Sequence, residues 1–305
     1  MTKQERFIMQ VLQIYHRDTK EYEEITQFGQ GALAYLYGSV PGRVLLKLAV
    51  SPVVSGLYGW WNGRAASAKK IPSFIEEQGI KTEDFEEREY SSFNDFFTRK
   101  LAKGARKIDR NPENLISPAD AKLLVYPIHA DQKVFVKGRW YTLEELVAGR
   151  LNLADYAGGT CLVYRLCMDD YHRYHYIDDG RLKRRYRIKG KLHTVSPLSK
   201  EYKVFKENTR VVNVLATRHF GDVIHIEVGA LLVGKIYNHN HRMFCRGAEK
   251  GFFEPGGSTI LQLFKKDAVL MDEDILEQSE NGIETKVLFG EKVGRRDAGK
   301  DTDLS

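Results

Sequence analysis

VIHIEVG (223–229) and LLVGKIY (231–237), separated only by Ala230, decide how this chain is read. Both are short runs rich in valine, isoleucine and leucine, punctuated by glycine, and both predict strands. Outward from here the signal recurs in TCLVYRL (160–166) and KVFVKG (133–138), so from about Lys107 the chain reads as short strands between turns. Residues 143–147 interrupt them with a short helix. The first hundred residues read instead as helical. Val53, Val54, Leu57, Tyr58 and Trp61 recur with helical period, with Ser55, Gly56, Gly59 and Asn62 on the other side. Pro52 suits the first turn of that helix, where its missing N–H costs nothing. Ser92 with Asp95 resembles a capping box, after which Phe93, Phe96, Phe97 and Leu101 stripe one face. The fold class is therefore α+β. A helical region at 1–104 precedes a β-rich domain at 105–290, and a charged tail at 291–305 is expected to fray.

The 305 residues suffice for one large domain or a domain with a smaller attachment. With 42% hydrophobic and 29% charged residues, the chain is neither collagen-like nor wholly disordered. The formal charge of +6 suggests an anionic partner. Cys161, Cys167 and Cys245 are odd in number and lack CxxC spacing, which points to a reducing compartment. The opening MTKQERFIMQ has no signal-peptide pattern. The longest uncharged stretch, residues 48–63, contains Pro52 and three glycines and is too short to span a bilayer. With Arg64, Lys69 and Lys70 behind it, such a segment would lie in the membrane interface, the alternative being that its apolar stripe packs onto the β domain as core.

Three segments hold reactive residue types: SPADAK (117–122), DDYHRYHYIDDG (169–180) and FFEPGGSTILQLF (252–264). Gly256 and Gly257 leave the Gly257 carbonyl unshielded, and the hydroxyl of Ser258 immediately follows it. Attack on that carbonyl needs a base, usually histidine, and a carboxylate to orient it. Asp120, His175 and Ser258 supply these types, although Gly-Gly-Ser alone is the mark of a tight turn. His172 and His175 also have the spacing of two metal ligands, but without a third ligand a polar turn is the simpler reading. His239, His241 and Cys245 are read the same way, and no metal is expected. In residues 181–191 an extended strand would place Arg181, Lys183, Arg185, Arg187, Lys189 and Lys191 on one face. Leu182, Tyr186 and Ile188 would take the opposite face. A solvated face and an anion-binding surface are both open; nucleic acid is disfavoured because its recognition motifs are absent.

In this order the segments resemble the pyruvoyl-dependent phosphatidylserine decarboxylase family. The landmarks are FNDFFTRKL (93–101), SPAD (117–120), VKGRWYTLEELV (136–147), DYHRYH (170–175), VGALLVGKI (228–236) and GFFEPGGST (251–259), which span nearly the whole chain. The resemblance implies a self-cleaving proenzyme, cut between Gly257 and Ser258, with Ser258 converted to a covalent pyruvoyl group. It assigns Asp120 and His175 to self-cleavage and places His172 near the decarboxylation chemistry, as candidate proton donor. Ala121 stands where many members have glycine, and Pro255 where an apolar residue is usual; neither change removes a reacting group.

The implied reaction turns phosphatidylserine into phosphatidylethanolamine and CO2 through a Schiff base on the pyruvoyl group, with no PLP and no metal. Cleavage would yield a long chain, 1–257, and a short chain, 258–305. The short chain has 7 basic and 11 acidic residues, which leaves the long chain an excess of ten positive charges toward an anionic membrane surface. The expected architecture is thus a helical, membrane-associating N-terminal region on a β-rich catalytic domain, peripheral on the cytoplasmic side of the cell membrane. A homo-oligomer is compatible with this reading. The alternatives are a pyruvoyl-dependent decarboxylase of a free amino acid and a serine hydrolase using the same triad, although GGST lacks the GxSxG elbow.

Overall fold

β11 (Asp222–Gly229) is a strand because both of its faces are buried. Ile224, Ile226 and Val228 enter one apolar layer, while Val223, His225 and Glu227 alternate toward the other. The computed structural model describes residues 12–25, 35–36, 39–49, 51–136, 139–191, 193, 204–230, 235–256 and 258–297. β11 lies in a ten-stranded sheet. Its order is β13 (Met243–Phe244), β9 (Gly180–Ile188), β10 (Arg210–Thr217), β11, β15 (Ser258–Phe264), β7 (Thr160–Leu166), β4 (Ala121–Pro127), β17 (Glu284–Val287), β1 (Leu12–His16) and β2 (Glu21–Ile25). Neighbours are antiparallel except β1 and β17, which run parallel.

Two small three-stranded sheets accompany it: β12 (Ile236–Asn238), β14 (Glu249–Phe253) and β8 (Arg173–His175), and β16 (Val269–Met271), β18 (Lys292–Arg296) and β3 (Asn114–Ile116). β5 (Lys133–Val136) and β6 (Arg139–Thr142) form a hairpin. The KVFVKG strand thus holds through Val136, and residues 137–138 lie outside the described residues, as do 231–234 of LLVGKIY. The expected helix over 143–147 is present as α5 (Leu143–Val147). Thr142 and Glu145 close a capping box at its start.

The N-terminal helices among the described residues are α1 (Val40–Ala49), α2 (Pro52–Asn62), α3 (Ile71–Gln78) and α4 (Phe93–Phe97). Ser51 caps α2, and Ser92 accepts from the Asp95 N–H to cap α4. α4 is short, and burial holds it: Phe93, Phe96 and Phe97 pack with Phe74, Phe85 and Tyr171. α2 is inverted relative to an ordinary surface helix. Ser55, Gly59 and Asn62 face inward, and the Asn94 amide donates to the Gly59 carbonyl at 2.8 Å. Its apolar residues face out, with Val53 70%, Leu57 62%, Trp60 57% and Trp61 54% exposed.

Three expectations are corrected. The first hundred residues are not purely helical, because β1 and β2 form a hairpin that extends the large sheet. Its strands are short, and their polar residues blur the alternation. The tail does not begin at residue 291: Lys292–Arg296 is β18, paired with β3 and β16 and anchored by the fully buried Val293. Residues 298–305 lie outside the described residues. The basic stripe at 181–191 is broken by a bulge, since Arg184 pairs with Val214 and Leu182 with Leu215, which leaves Lys183 extra. Leu182 therefore packs with Leu215, Tyr176 and Phe244, while Tyr186 and Ile188 pack on the other face. Several of its cations are engaged within the chain, Lys183 by Asp222, Arg185 by Asn213 and Arg187 by the Ile236 carbonyl.

Candidate active site

The sheet register brings two of the three reactive segments to one end of its central strands. Ser258 opens β15 opposite Gly229 at the end of β11 and Leu166 at the end of β7. β4 pairs with β7 so that Lys122 meets Arg165, which sets Asp120, just ahead of β4, at the same end. With strands about 4.8 Å apart, Ser258 and the start of β4 stand about 10 Å from each other. Gly257 lies outside the described residues. Gly256 before it has φ of +137°, a conformation that only glycine adopts readily. Ser258 is fully buried, and its Oγ has no hydrogen-bond partner among the described residues.

The third segment reaches the same place through β8 and the turn ahead of it. The His175 N–H donates to the Pro118 carbonyl at 2.8 Å, and His175 Nδ1 lies 3.4 Å from that same oxygen. Its ring stacks on Phe289 with 3.5 Å between centroids. Burial pushes the imidazole down to about 4, against the opposing pull of Glu249. Asp120 does not bond His175. Its carboxylate accepts from Arg106 Nη2 at 2.7 Å and from the Phe289 N–H at 2.8 Å, so it reaches His175 through the residue on which the ring stacks.

His172 is fully buried, and its carbonyl accepts from the Phe253 N–H at 3.0 Å, on the strand that leads to Ser258. Its ring lies 4.0 Å from that of Phe97, and Nδ1 is 2.9 Å from the Asp170 carbonyl. Nε2 has no partner among the described residues. Burial first, then the Arg99 charge, push this imidazole down to about 3. Sequence reasoning missed Arg106, Phe289 and Arg99. Arg99 lies inside FNDFFTRKL, where a charged residue after an aromatic stripe is the signal that could have singled it out.

Cys167, Asp169 and Asp170 are the side chains among the described residues that come close enough to share a metal. Cations of the chain already meet this cluster: Lys122 Nζ lies 2.7 Å from Asp170, and Arg165 donates to Cys167 Sγ at 2.6 Å. His239 bonds Glu249 at 2.7 Å, a carboxylate that Arg173 also holds, and Cys245 is exposed.

Comparison with known proteins gives one consistent result. A family model described as phosphatidylserine decarboxylase matches residues 93–295. The chain is 51% identical over 283 residues to phosphatidylserine decarboxylase proenzyme 2 of Clostridium acetobutylicum, covering 92% of this chain and 97% of that protein. It is 41% identical over 298 residues to the phosphatidylserine decarboxylase proenzyme of Desulfitobacterium hafniense, covering 95% and 100%. It is 42% identical over 293 residues to that of Ruminiclostridium cellulolyticum, covering 93% and 97%. With the landmark segments and a match along nearly the whole length, the chain belongs to the phosphatidylserine decarboxylase family.

Proposed function

We propose that this chain is a proenzyme that cuts itself between Gly257 and Ser258 and then decarboxylates phosphatidylserine to phosphatidylethanolamine at a membrane surface. The observation that carries the reading is the buried Ser258 Oγ without a hydrogen-bond partner among the described residues, at the same end of the sheet's strands as Asp120. A buried hydroxyl left unpaired costs roughly 1–3 kcal/mol, which an ordinary turn serine avoids.

In self-cleavage His175 takes the Ser258 proton and the oxygen attacks the Gly257 carbonyl, which exchanges the amide for an ester. β-Elimination releases chain 1–257 as a carboxylate and leaves a dehydroalanine, whose enamine nitrogen is lost as ammonia when water converts it to pyruvoyl. Asp120 acts through Phe289 and Arg106: it fixes the surface against which the base is stacked. The buried start of β15 suits a covalent group at position 258, where no metal or PLP is required. That group supplies the electron sink for loss of the carboxylate. His172 is the candidate for moving the proton to the substrate carbon.

The outward apolar residues of α2, joined by Val44 and Leu45 of α1, form the surface that would lie in the interface. Arg64 covers the Trp60 ring at 3.9 Å, and Lys69 and Lys70 follow, which suits anionic headgroups on the cytoplasmic side of the membrane. No helix among the described residues is long and apolar enough to cross. An intact-mass spectrum tests the proposal together with CO2 release from phosphatidylserine vesicles. Chains of 1–257 and 258–305, with a carbonyl that hydroxylamine titrates on the short one, are expected. A single uncleaved chain that turns over esters would replace this reading with a hydrolase.

A further inference from the structure

Arg99 is fully buried, yet no carboxylate among the described residues pairs with it. Its Nη2 donates to two backbone carbonyls, of Asp169 at 2.9 Å and of Asp170 at 3.2 Å. Among the described residues its Nε and Nη1 have no hydrogen-bond partner, and the guanidinium carbon lies 4.2 Å and 4.9 Å from the ring centroids of Phe85 and Phe96. A buried charge held only by carbonyls and aromatic rings is costly, and stability alone gives no reason to keep it.

The Asp170 carbonyl explains its placement. That oxygen takes Arg99 Nη2 and also lies 2.9 Å from His172 Nδ1. A carbonyl can only accept, so Nδ1 carries the hydrogen, and in a neutral ring Nε2 is a bare lone pair. The charged groups acting on His172 are Arg99 from the segment after α4, Lys122 from β4 and Asp169 from the turn before β8, while Asp170 reaches it through its backbone carbonyl. Lys122 and the Cys167 N–H already hold the Asp170 carboxylate. Protonating Nε2 would place a second cation beside Arg99 with no acceptor among the described residues to receive its N–H.

We infer that Arg99 is a positioning residue that fixes His172 as the neutral Nδ1–H tautomer, so that Nε2 enters the reaction as a proton acceptor before it becomes a donor. The inference rests on the decarboxylase reading. The proton balance closes. An N–H bond of the substrate ammonium breaks, its electron pair stays on nitrogen, and the proton goes to Nε2. Once CO2 has left, the electron pair of the broken C–C bond takes that proton from Nε2, and the neutral imidazole returns.

The test has two arms. In the full-length Ser258→Ala chain carrying ¹⁵N-histidine, the His172 resonance is identified by its loss in a second chain that also carries His172→Asn. It should report Nδ1–H and bare Nε2 from pH 8 to pH 5. An Nε2–H tautomer, or protonation near the ordinary value of about 6.5, overturns the inference. In the self-cleaving chain, Arg99→Met should lower kcat for CO2 release by about 10- to 100-fold, with KM changed less than about threefold. Arg99→Lys should recover part of the loss, and the cleaved fraction should stay within about twofold of the parent. An Arg99→Met enzyme that cleaves and decarboxylates at the parental rate overturns the inference. If Arg99→Met fails to fold, Arg99→Lys carries the kinetic arm, parental kcat in that variant overturning the role of Arg99, and the resonance still tests the tautomer. A parent that cleaves yet releases no CO2 from phosphatidylserine vesicles defeats the decarboxylase reading and leaves the tautomer measurement standing.

Discussion

His175 Nδ1 faces the Pro118 carbonyl, which leaves Nε2 as the basic nitrogen, and burial holds the ring neutral far below the pH at which an exposed histidine protonates. The consequence for self-cleavage is directional. A base must be neutral to accept the Ser258 proton, and with its value near 4 His175 stays neutral at every pH above that. The cleavage rate should therefore be flat from pH 8 to pH 5 and fall only as pH drops through about 4. Following the uncleaved band on a denaturing gel measures this, and a rate that halves near pH 6.5 would mean that His175 is solvated or is not the base. His175→Ala should block cleavage altogether. Asp120→Asn keeps an oxygen for the Phe289 N–H but weakens the hold of Arg106, so it should slow cleavage about tenfold or more. Cleavage at the parental rate in that variant would show that the Phe289 surface is fixed without the carboxylate.

α2 shows what an element contributes that its residues do not. Its small and polar face fits against α4 through the Asn94 bond to Gly59, and among the described residues this leaves Val53, Leu57 and Trp61 mostly exposed on the outer face. Leu57→Ser with Trp61→Ser should release the protein from anionic vesicles in a flotation assay while self-cleavage stays normal, since no strand of the large sheet depends on either side chain. Vesicle binding as tight as in the parent would move the anchor elsewhere. The period of this helix was legible in the sequence; which face turned inward was not, because spacing shows that two faces differ without showing what covers each. The strands β5, β7 and β11 were legible for a related reason. Branched residues buried on both faces leave an unbroken run, as in TCLVYRL. The β1–β2 hairpin and β18 were missed because their strands, LQIYH, EYEEI and KVGRR, are short and rich in polar and charged residues, which hides the alternation. At the site, Asp120, His175 and Ser258 were legible as residue types. Arg106 and Phe289 were not, because only the fold carries residues this far apart in sequence to one carboxylate.

Across the whole molecule, the short chain that cleavage would create is built into the sheet from inside. β15 lies between β11 and β7, and β17 between β4 and β1, all four neighbours belonging to the long chain. Arg165 forks onto Glu284 in the interior, and the Val125 N–H donates to Ser279 Oγ at 2.9 Å. Arg17 adds a clasp at the rim: it bonds Asp272 at 2.9 Å, Asp274 at 2.7 Å and Glu291 at 2.8 Å, all on the short chain. Burial opposes the Arg17 charge, but bonds to Asp274 and Asp272 raise its affinity for the proton above that of a free guanidinium, so it stays charged at any pH the protein survives. The two chains should therefore remain together after cleavage and part only in denaturant. Arg17→Ala removes a cation from among three carboxylates that Lys292 shares only at Asp272. That loss should lower the stability of the cleaved enzyme by about 2 kcal/mol, read as an earlier urea midpoint, and by less in high salt. The ladders of β15 and β17 are untouched, so below that midpoint the short chain should still co-elute with the long one in size exclusion. Elution of free short chain without denaturant would mean that the rim clasp, and not the buried strands, holds the halves together.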